Sequence, residues 1–182
     1  MIKKILLGAI VVIVLVCVIG CVVVAMQPSS YQVERSVTIN APAPVVFAQV
    51  NDFHKWEAWS PWAKMDPNMK TTYSGPPAGT GAVYSWTGNS DVGEGRMTIT
   101  DSVPSTLIKI KLEFLKPFAA TNATNFMFVT QGNQTQVKWS MSGEKNFVMK
   151  GFTMFMNMDK MVGDDFEKGL AQMKTVAETA AR

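Results

Sequence analysis

Few residues in this chain have the types and spacing for acid–base chemistry. His54 is the one histidine. It follows Asp52 by two positions and lies near Glu57, and a carboxylate beside an imidazole can orient it as a general base. That spacing matches no known catalytic sequence pattern, so a surface histidine in a short helix is the competing reading. Glu94 and Tyr84 complete the set of groups able to move a proton. Glu94 and Arg96 fall on one face of a predicted strand, as either an outer ion pair or a polar anchor for a ligand headgroup. Asp164 and Asp165 are helix neighbours about 100° apart and do not converge. Gly79-Thr80-Gly81 is too short for a phosphate-binding loop. Cys17 and Cys21 share a helical face but have no histidine or carboxylate beside them, so no metal site is expected. No cofactor is implied, and no basic run interleaved with aromatics points to nucleic acid. These residues favour binding over catalysis.

The elements that must position them begin at the C-terminus. Phe155, Met158, Val162, Phe166, Leu170, Met173 and Ala177 recur at intervals of three and four, which predicts one helix over 152–182 with a single apolar stripe. Lys160, Asp164, Asp165, Glu167, Lys168, Lys174 and Glu178 form the opposite, solvated side. Such a helix draws its stability from packing that stripe on a partner. The partner is a sheet. Residues 31–39 alternate as a first strand, with Tyr31, Val33, Arg35, Val37 and Ile39 on one side. Ala41-Pro42-Ala43-Pro44 starts a short helix over 45–50, and a second short helix or turn follows over 53–59. Six further strands are predicted at 70–73, 81–87, 92–102, 106–114, 120–130 and 135–142, separated by Gly, Pro, Asn and Asp turns. Ile108, Ile110, Leu112 and Phe114 oppose Lys109, Lys111 and Glu113, as in an antiparallel sheet with one wet face. The order describes an α+β domain.

Ahead of it stands an apolar run over residues 5–26, preceded by Lys3 and Lys4. At ~1.5 Å per residue it reaches roughly 33 Å, enough for a bilayer core of ~30 Å. A cleaved signal expects a shorter apolar region. Val18-Ile19-Gly20-Cys21 resembles a lipoprotein signal, but the residues after it stay apolar. An uncleaved single-pass anchor over 1–26 is the favoured reading, with a linker at 27–30 and one domain over 31–182. Lys3 and Lys4 keep the N-terminus cytoplasmic and place the domain outside, in a periplasm where one exists. Without those two lysines the chain carries 15 basic and 14 acidic residues. Both cysteines lie in the anchor, so the domain has neither a disulfide framework nor a thiol nucleophile.

Particular stretches carry a resemblance. They are residues 33–42, the Trp56, Trp59 and Ser60-Pro61-Trp62 segment, and Gly79-Thr80-Gly81 with Tyr84 and Trp86. Gly93-Glu94-Gly95-Arg96-Met97, Trp139 within 135–143, Met158-Asp159-Lys160-Met161 and Phe166-Glu167-Lys168-Gly169-Leu170 continue it. Together they resemble the helix-grip superfamily of START-type lipid-transfer, pollen-allergen and polyketide cyclase/dehydrase-like domains (SRPBCC), closest to its membrane-anchored, polyketide-cyclase-like bacterial branch. The resemblance covers residues 31–180 and is more specific for fold than for function. It implies a curved antiparallel sheet gripping the long C-terminal helix, with a cavity between them. On this sequence the cavity lining would come from Trp59, Trp86, Met97, Phe114 and Phe128 of the first part. Trp139, Phe152, Met156, Met158 and Val162 would close it. Met149, Met154, Met156, Met158 and Met161 either pad the core or adapt to apolar ligands. Gly93 and Gly95 either form a bulge or leave room for a ligand. The expected function is a membrane-tethered site for a hydrophobic small molecule, lipid or isoprenoid-like. The alternatives are a cyclase or hydratase acting on an apolar substrate, or a protein-interaction domain like the chaperone activators of this fold.

Overall fold

A computed structural model describes residues 2–182. Strands β1 (Ser30–Ile39), β2 (Lys70–Ser74), β3 (Val83–Thr87), β4 (Glu94–Val103), β5 (Leu107–Lys116), β6 (Ala120–Gln131) and β7 (Gln134–Glu144) form one sheet. Its order is β1-β7-β6-β5-β4-β3-β2, and every neighbouring pair from β2 to β7 is antiparallel. The connections within β2–β7 are short hairpins. Between β1 and β2 the chain leaves the sheet for α2 (Ala43–Asn51) and two 3₁₀ turns, Phe53–Ala58 and Pro61–Lys64. Pro44 stands in the first turn of α2, where a missing N–H costs nothing. Two helices follow the sheet, α3 (Phe147–Thr153) and α4 (Met158–Ala180), and α1 (Ile2–Ala25) precedes it. This is the α+β helix-grip fold.

The chain divides into two compact units. The larger comprises Gln32–Glu144 and Met158–Arg182. Its core follows the predicted alternation: Ile99, Ile108, Ile110, Phe126, Phe128, Val137 and Trp139 are buried on one sheet face. Phe166, Leu170, Met173 and Ala177 of α4 are buried as well, spaced by three and four. At the centre, the Trp139 ring lies between Phe126 at 4.8 Å and Phe166 at 3.9 Å, the latter only 8° from parallel. Each such ring pair contributes about 0.5–1.5 kcal/mol beyond its buried area.

Arg35 ties β1 to α4. Its Nε donates to Glu167 at 2.7 Å, Nη1 and Nη2 each donate to the Asp159 carboxylate at 3.1 Å, and Nη2 also reaches the Asp159 carbonyl. The guanidinium lies across the helix where Gly163 has no side chain; a Cβ there would stand 2.0 Å from Nη2. The fork holds Asp159 below the usual carboxylate range through a charge-assisted hydrogen bond.

The smaller unit comprises Met1–Tyr31 and Lys145–Asn157. Its α1 contains Leu6–Ala25, a helix long and apolar enough by composition to cross a membrane. Asn146 caps α3, its side chain accepting from Met149 N at 2.8 Å. The Lys150 amine donates to the Ala25 carbonyl at 3.2 Å, and Lys145 N donates to Ser29 O at 2.6 Å.

The single helix predicted over 152–182 is two. Residues 154–156 are turn and bend, and Phe155, the first member of the predicted stripe, is 90 % exposed. Asn157 stands directly before α4, a residue type whose side chain competes with helix continuation. Asp159 in the first turn suits the positive end of a new helix. Spacing alone cannot separate one helix from two whose apolar residues stay in phase.

Candidate functional site

The inner face of the sheet can be read as rungs crossing the strands. One consists of Ile108, Phe126 and Trp139 in register, under Phe166. The next holds Ile99, Ile110, Thr124 and Met141, all buried. Beyond it come Tyr73, Tyr84, Met97, Leu112, Asn122 and Gly143, where burial becomes partial. Trp86, Gly95, Phe114 and Ala120 form the outermost rung. The face therefore grades from a closed aromatic core to a half-open apolar margin, with Leu112, Phe114 and Tyr84 half-buried along it.

Polar atoms are set into the closed part. Asn122 is 4 % and Thr124 3 % exposed, both pointing inward. Thr124 Oγ1 and Trp139 Nε1 are enclosed without a hydrogen-bond partner among the described residues. Trp139 stands next but one to Met141, which faces Thr124, so the two atoms belong to diagonal neighbours on one face. The other core tryptophans are satisfied: Trp56 Nε1 donates to Val50 O at 3.0 Å, Trp59 to Gln49 O at 3.0 Å and Trp86 to Val92 O at 2.9 Å. A buried unsatisfied donor or acceptor costs about 1–3 kcal/mol. Trp139 offers only a donor, whereas the threonine hydroxyl donates or accepts. On α4, Gln172 Oε1 is likewise enclosed without a partner.

The residues expected to line a cavity are distributed as follows. Trp59 and Trp139 are fully buried within the aromatic core, 5.7 Å apart by ring centre. Phe128 is buried with its ring 5.4 Å from Phe47. Met97 and Trp86 lie on the inner rungs, and Phe114 is half-buried beside Trp86 at 6.0 Å. Met158 and Val162 are half-buried on the first turns of α4. Phe152 and Met156 belong to the smaller unit, with exposures of 64 % and 44 %. Phe152 lies in α3 and Met156 just after it, and α3 shares that unit with α1. The space expected over Gly95 is taken: a Cβ there would meet the Trp86 ring at 2.4 Å. Gly93 has φ +64°, and the strand register shifts between Glu94 and Gly95, so this pair forms a bulge.

The acid–base candidates are scattered. His54 Nδ1 lies 2.9 Å from Asp52 Oδ1, but the same oxygen accepts from His54 N and caps the 3₁₀ turn. The imidazole is about half exposed and stacks on Tyr73 at 4.0 Å. Glu94 pairs with Lys116 at 2.7 Å, and Arg96 with Glu113 at 2.8 Å, both on the outer face. Lys111 and Arg96 hold the Glu113 carboxyl below its usual range. Tyr84 alone faces inward, and burial pushes its hydroxyl up to about 12, so it stays protonated at neutral pH. The outer face also carries a shallow depression of ≈ 240 Å³ lined by Thr100, Lys109, Lys111 and Asn125. Its lysines are already paired with Asp101 and Glu113.

Thr124 and Asn122 are site residues that the sequence reading does not name. The available signal was Ala120, Asn122, Thr124, Phe126 and Phe128 in one alternating phase, with two polar residues among the buried positions.

A seven-stranded antiparallel sheet packed on a long C-terminal helix defines a helix-grip domain. The sequence agrees: residues 30–178 match the family described as polyketide cyclase/dehydrase and lipid transport, and the chain belongs to it. No curated protein matches the sequence. Among solved structures, the chain is similar to the Zhui aromatase/cyclase from Streptomyces sp. R1128, at 15 % identity and TM-score 0.61. That match covers 84 % of this chain and 96 % of the other. It is similar to protein CV1439 from Chromobacterium violaceum, at 12 % identity and TM-score 0.58, over 84 % and 99 % of the two chains. The same fold occurs in Ara h 8.0201, at 12 % identity and TM-score 0.54, over 84 % and 97 %. At these identities the likeness is one of fold.

Proposed function

We propose that the larger unit binds a hydrophobic small molecule bearing one polar oxygen, and that α1 tethers it to a membrane. The observation that carries this reading is the pair of unsatisfied atoms, Thr124 Oγ1 and Trp139 Nε1, beneath the half-open margin. The apolar body would lie along Tyr84, Met97, Leu112 and Phe114. Met97 lies on the margin rung and Met141 faces Thr124, and methionine has the rotamer freedom to adapt to a ligand. The family's description, which includes lipid transport, supports the same class of ligand. The run Leu6–Ala25 supports the tether, and Lys3 and Lys4 before it favour a domain outside the cytoplasm. Catalysis has less support, because the groups able to move protons are spread over solvent, the outer face and one protonated tyrosine.

The test is titration of the full chain, held in nanodiscs, with a fatty acid and with a prenyl alcohol. Tryptophan fluorescence reports binding, since Trp139 sits at the proposed contact. Saturable quenching or enhancement that is weakened in Trp139→Phe supports the site. Absence of any saturable response to either ligand class refutes it.

A further inference from the structure

The stretch Lys145–Asn157 is the least explained part of the chain. Phe147, Val148, Phe152, Met154, Phe155 and Met156 are exposed, at 52 %, 65 %, 64 %, 42 %, 90 % and 44 %. Water-facing clusters of this kind mark an interaction surface. Successive helical positions turn by about 100°, which puts Phe147, Val148 and Phe152 of α3 on one side. The stretch contains Lys145 and Lys150 and no acidic residue.

Its position fixes the occupant. The Lys150 amine reaches the carbonyl of Ala25, the last residue of the apolar run, and a Cβ on Gly151 would contact the Val24 methyls at 3.9 Å. Lys145 N is bonded to Ser29 O just beyond that run. Both contacts lie inside the smaller unit, so α3 sits at the level where α1 would leave the hydrocarbon. A cluster of phenylalanines there, flanked by lysines and held at that depth by a neighbouring helix, has the chemistry of an interfacial segment. Such segments bury apolar side chains roughly 5–10 Å into the boundary and set cationic groups among anionic headgroups.

We propose that residues 147–156 form a second, interfacial contact with the lipid bilayer, with Phe147, Val148, Phe152 and Phe155 inserted beside the end of α1. The proposal rests on the reading of α1 as a membrane span. It gives the exposed phenylalanines an apolar environment. It also makes the attachment a two-point contact, which limits how freely the chain turns about α1.

The test uses the full chain in phosphatidylcholine vesicles containing phosphatidylglycerol. Spin labels are placed singly at Val148→Cys, Phe152→Cys or Phe155→Cys, with Cys17 and Cys21 replaced by alanine. Thr175→Cys on exposed α4 serves as the aqueous reference, and native Cys17, with Cys21→Ala, as the span reference. Relaxation by oxygen, which partitions into lipid, is compared with relaxation by a water-soluble nickel chelate. The expected result is an oxygen-to-nickel ratio at 148, 152 and 155 several-fold above that at 175, though below that at Cys17. If Cys17 reads as lipid-buried while 148, 152 and 155 match 175, the interfacial contact is refuted and the tether stands. If Cys17 itself reads as aqueous, the tether fails and the proposal falls with it.

Discussion

Thr124→Val keeps volume and branching while deleting the hydroxyl that has no partner. Thr124 is 3 % exposed and stands between Ile110 and Met141 on the inner rung, so valine meets the same walls. Removing an unsatisfied buried hydroxyl should raise the stability of the empty protein by about 1 kcal/mol, the lower end of the cost of such a group. For a chain of this size that is ~2–4 °C in melting temperature. If the hydroxyl is kept to meet a ligand oxygen, the same change should weaken binding about tenfold, the equivalent of ~1.4 kcal/mol. The two readouts, thermal unfolding without ligand and fluorescence titration with a fatty acid or prenyl alcohol, must move in opposite directions. A stabilised variant that binds as well as the parent would make Thr124 a packing flaw and nothing more. A variant destabilised by 1 kcal/mol or more would show that the hydroxyl was satisfied all along, by water for example, and the argument from unsatisfied atoms would collapse.

Other consequences are simpler to read. Gly→Ala inside a helix ordinarily gains about 1 kcal/mol, but Gly163→Ala would drive a Cβ to 2.0 Å from the Arg35 guanidinium, so its melting temperature should fall. The folded state holds Asp159 and Glu178 below their ordinary values of 3.8 and 4.5, through Arg35 and the Asn40 N–H respectively. Each contributes stability that is present above those ordinary values and is lost as pH falls toward the depressed folded ones. Urea melts of Asp159→Asn should therefore lie below the parent at pH 7 and converge with it below about pH 3.8; a constant gap at all pH values would contradict the Arg35 contact. Absorbance at the phenolate band should show one tyrosine ionising only near pH 12, and Tyr84→Phe should remove that step while sparing the others.

Much of the fold was legible because one face of each element is apolar. Ile108 and Ile110 against Lys109 and Lys111 announce an antiparallel strand, and Phe166, Leu170, Met173 and Ala177 announce the gripped helix. The break between α3 and α4 was not legible, since apolar spacing continues across 154–157 and says nothing about which surface each piece meets. The candidate site was hidden for a related reason. Thr124 and Asn122 look like solvent-facing strand residues until β6 is phased by Phe126 and Phe128. Arg35 shows the same difficulty in reverse: it shares the phase of Val33, Val37 and Ile39 on β1, and its place there becomes intelligible only with Gly163, Asp159 and Glu167 arriving from 124 or more positions away.

The buried indoles of this core differ in whether their N–H has a partner. Trp56, Trp59 and Trp86 each have a backbone carbonyl in place for the indole N–H, so this sequence supplies partners for buried tryptophans where the fold alone must be stable. Trp139 lacks one among the described residues, although its ring is the most tightly stacked, with Phe166 at 3.9 Å. The stacking contributes about 0.5–1.5 kcal/mol per ring pair, comparable to the ~1–3 kcal/mol cost of leaving the N–H bare. The core can therefore hold the unsatisfied indole in place without a partner, and a ligand oxygen that satisfied it would recover that cost on binding. A valine at 124 and a phenylalanine at 139 would make a better core, and by this reasoning a worse receptor.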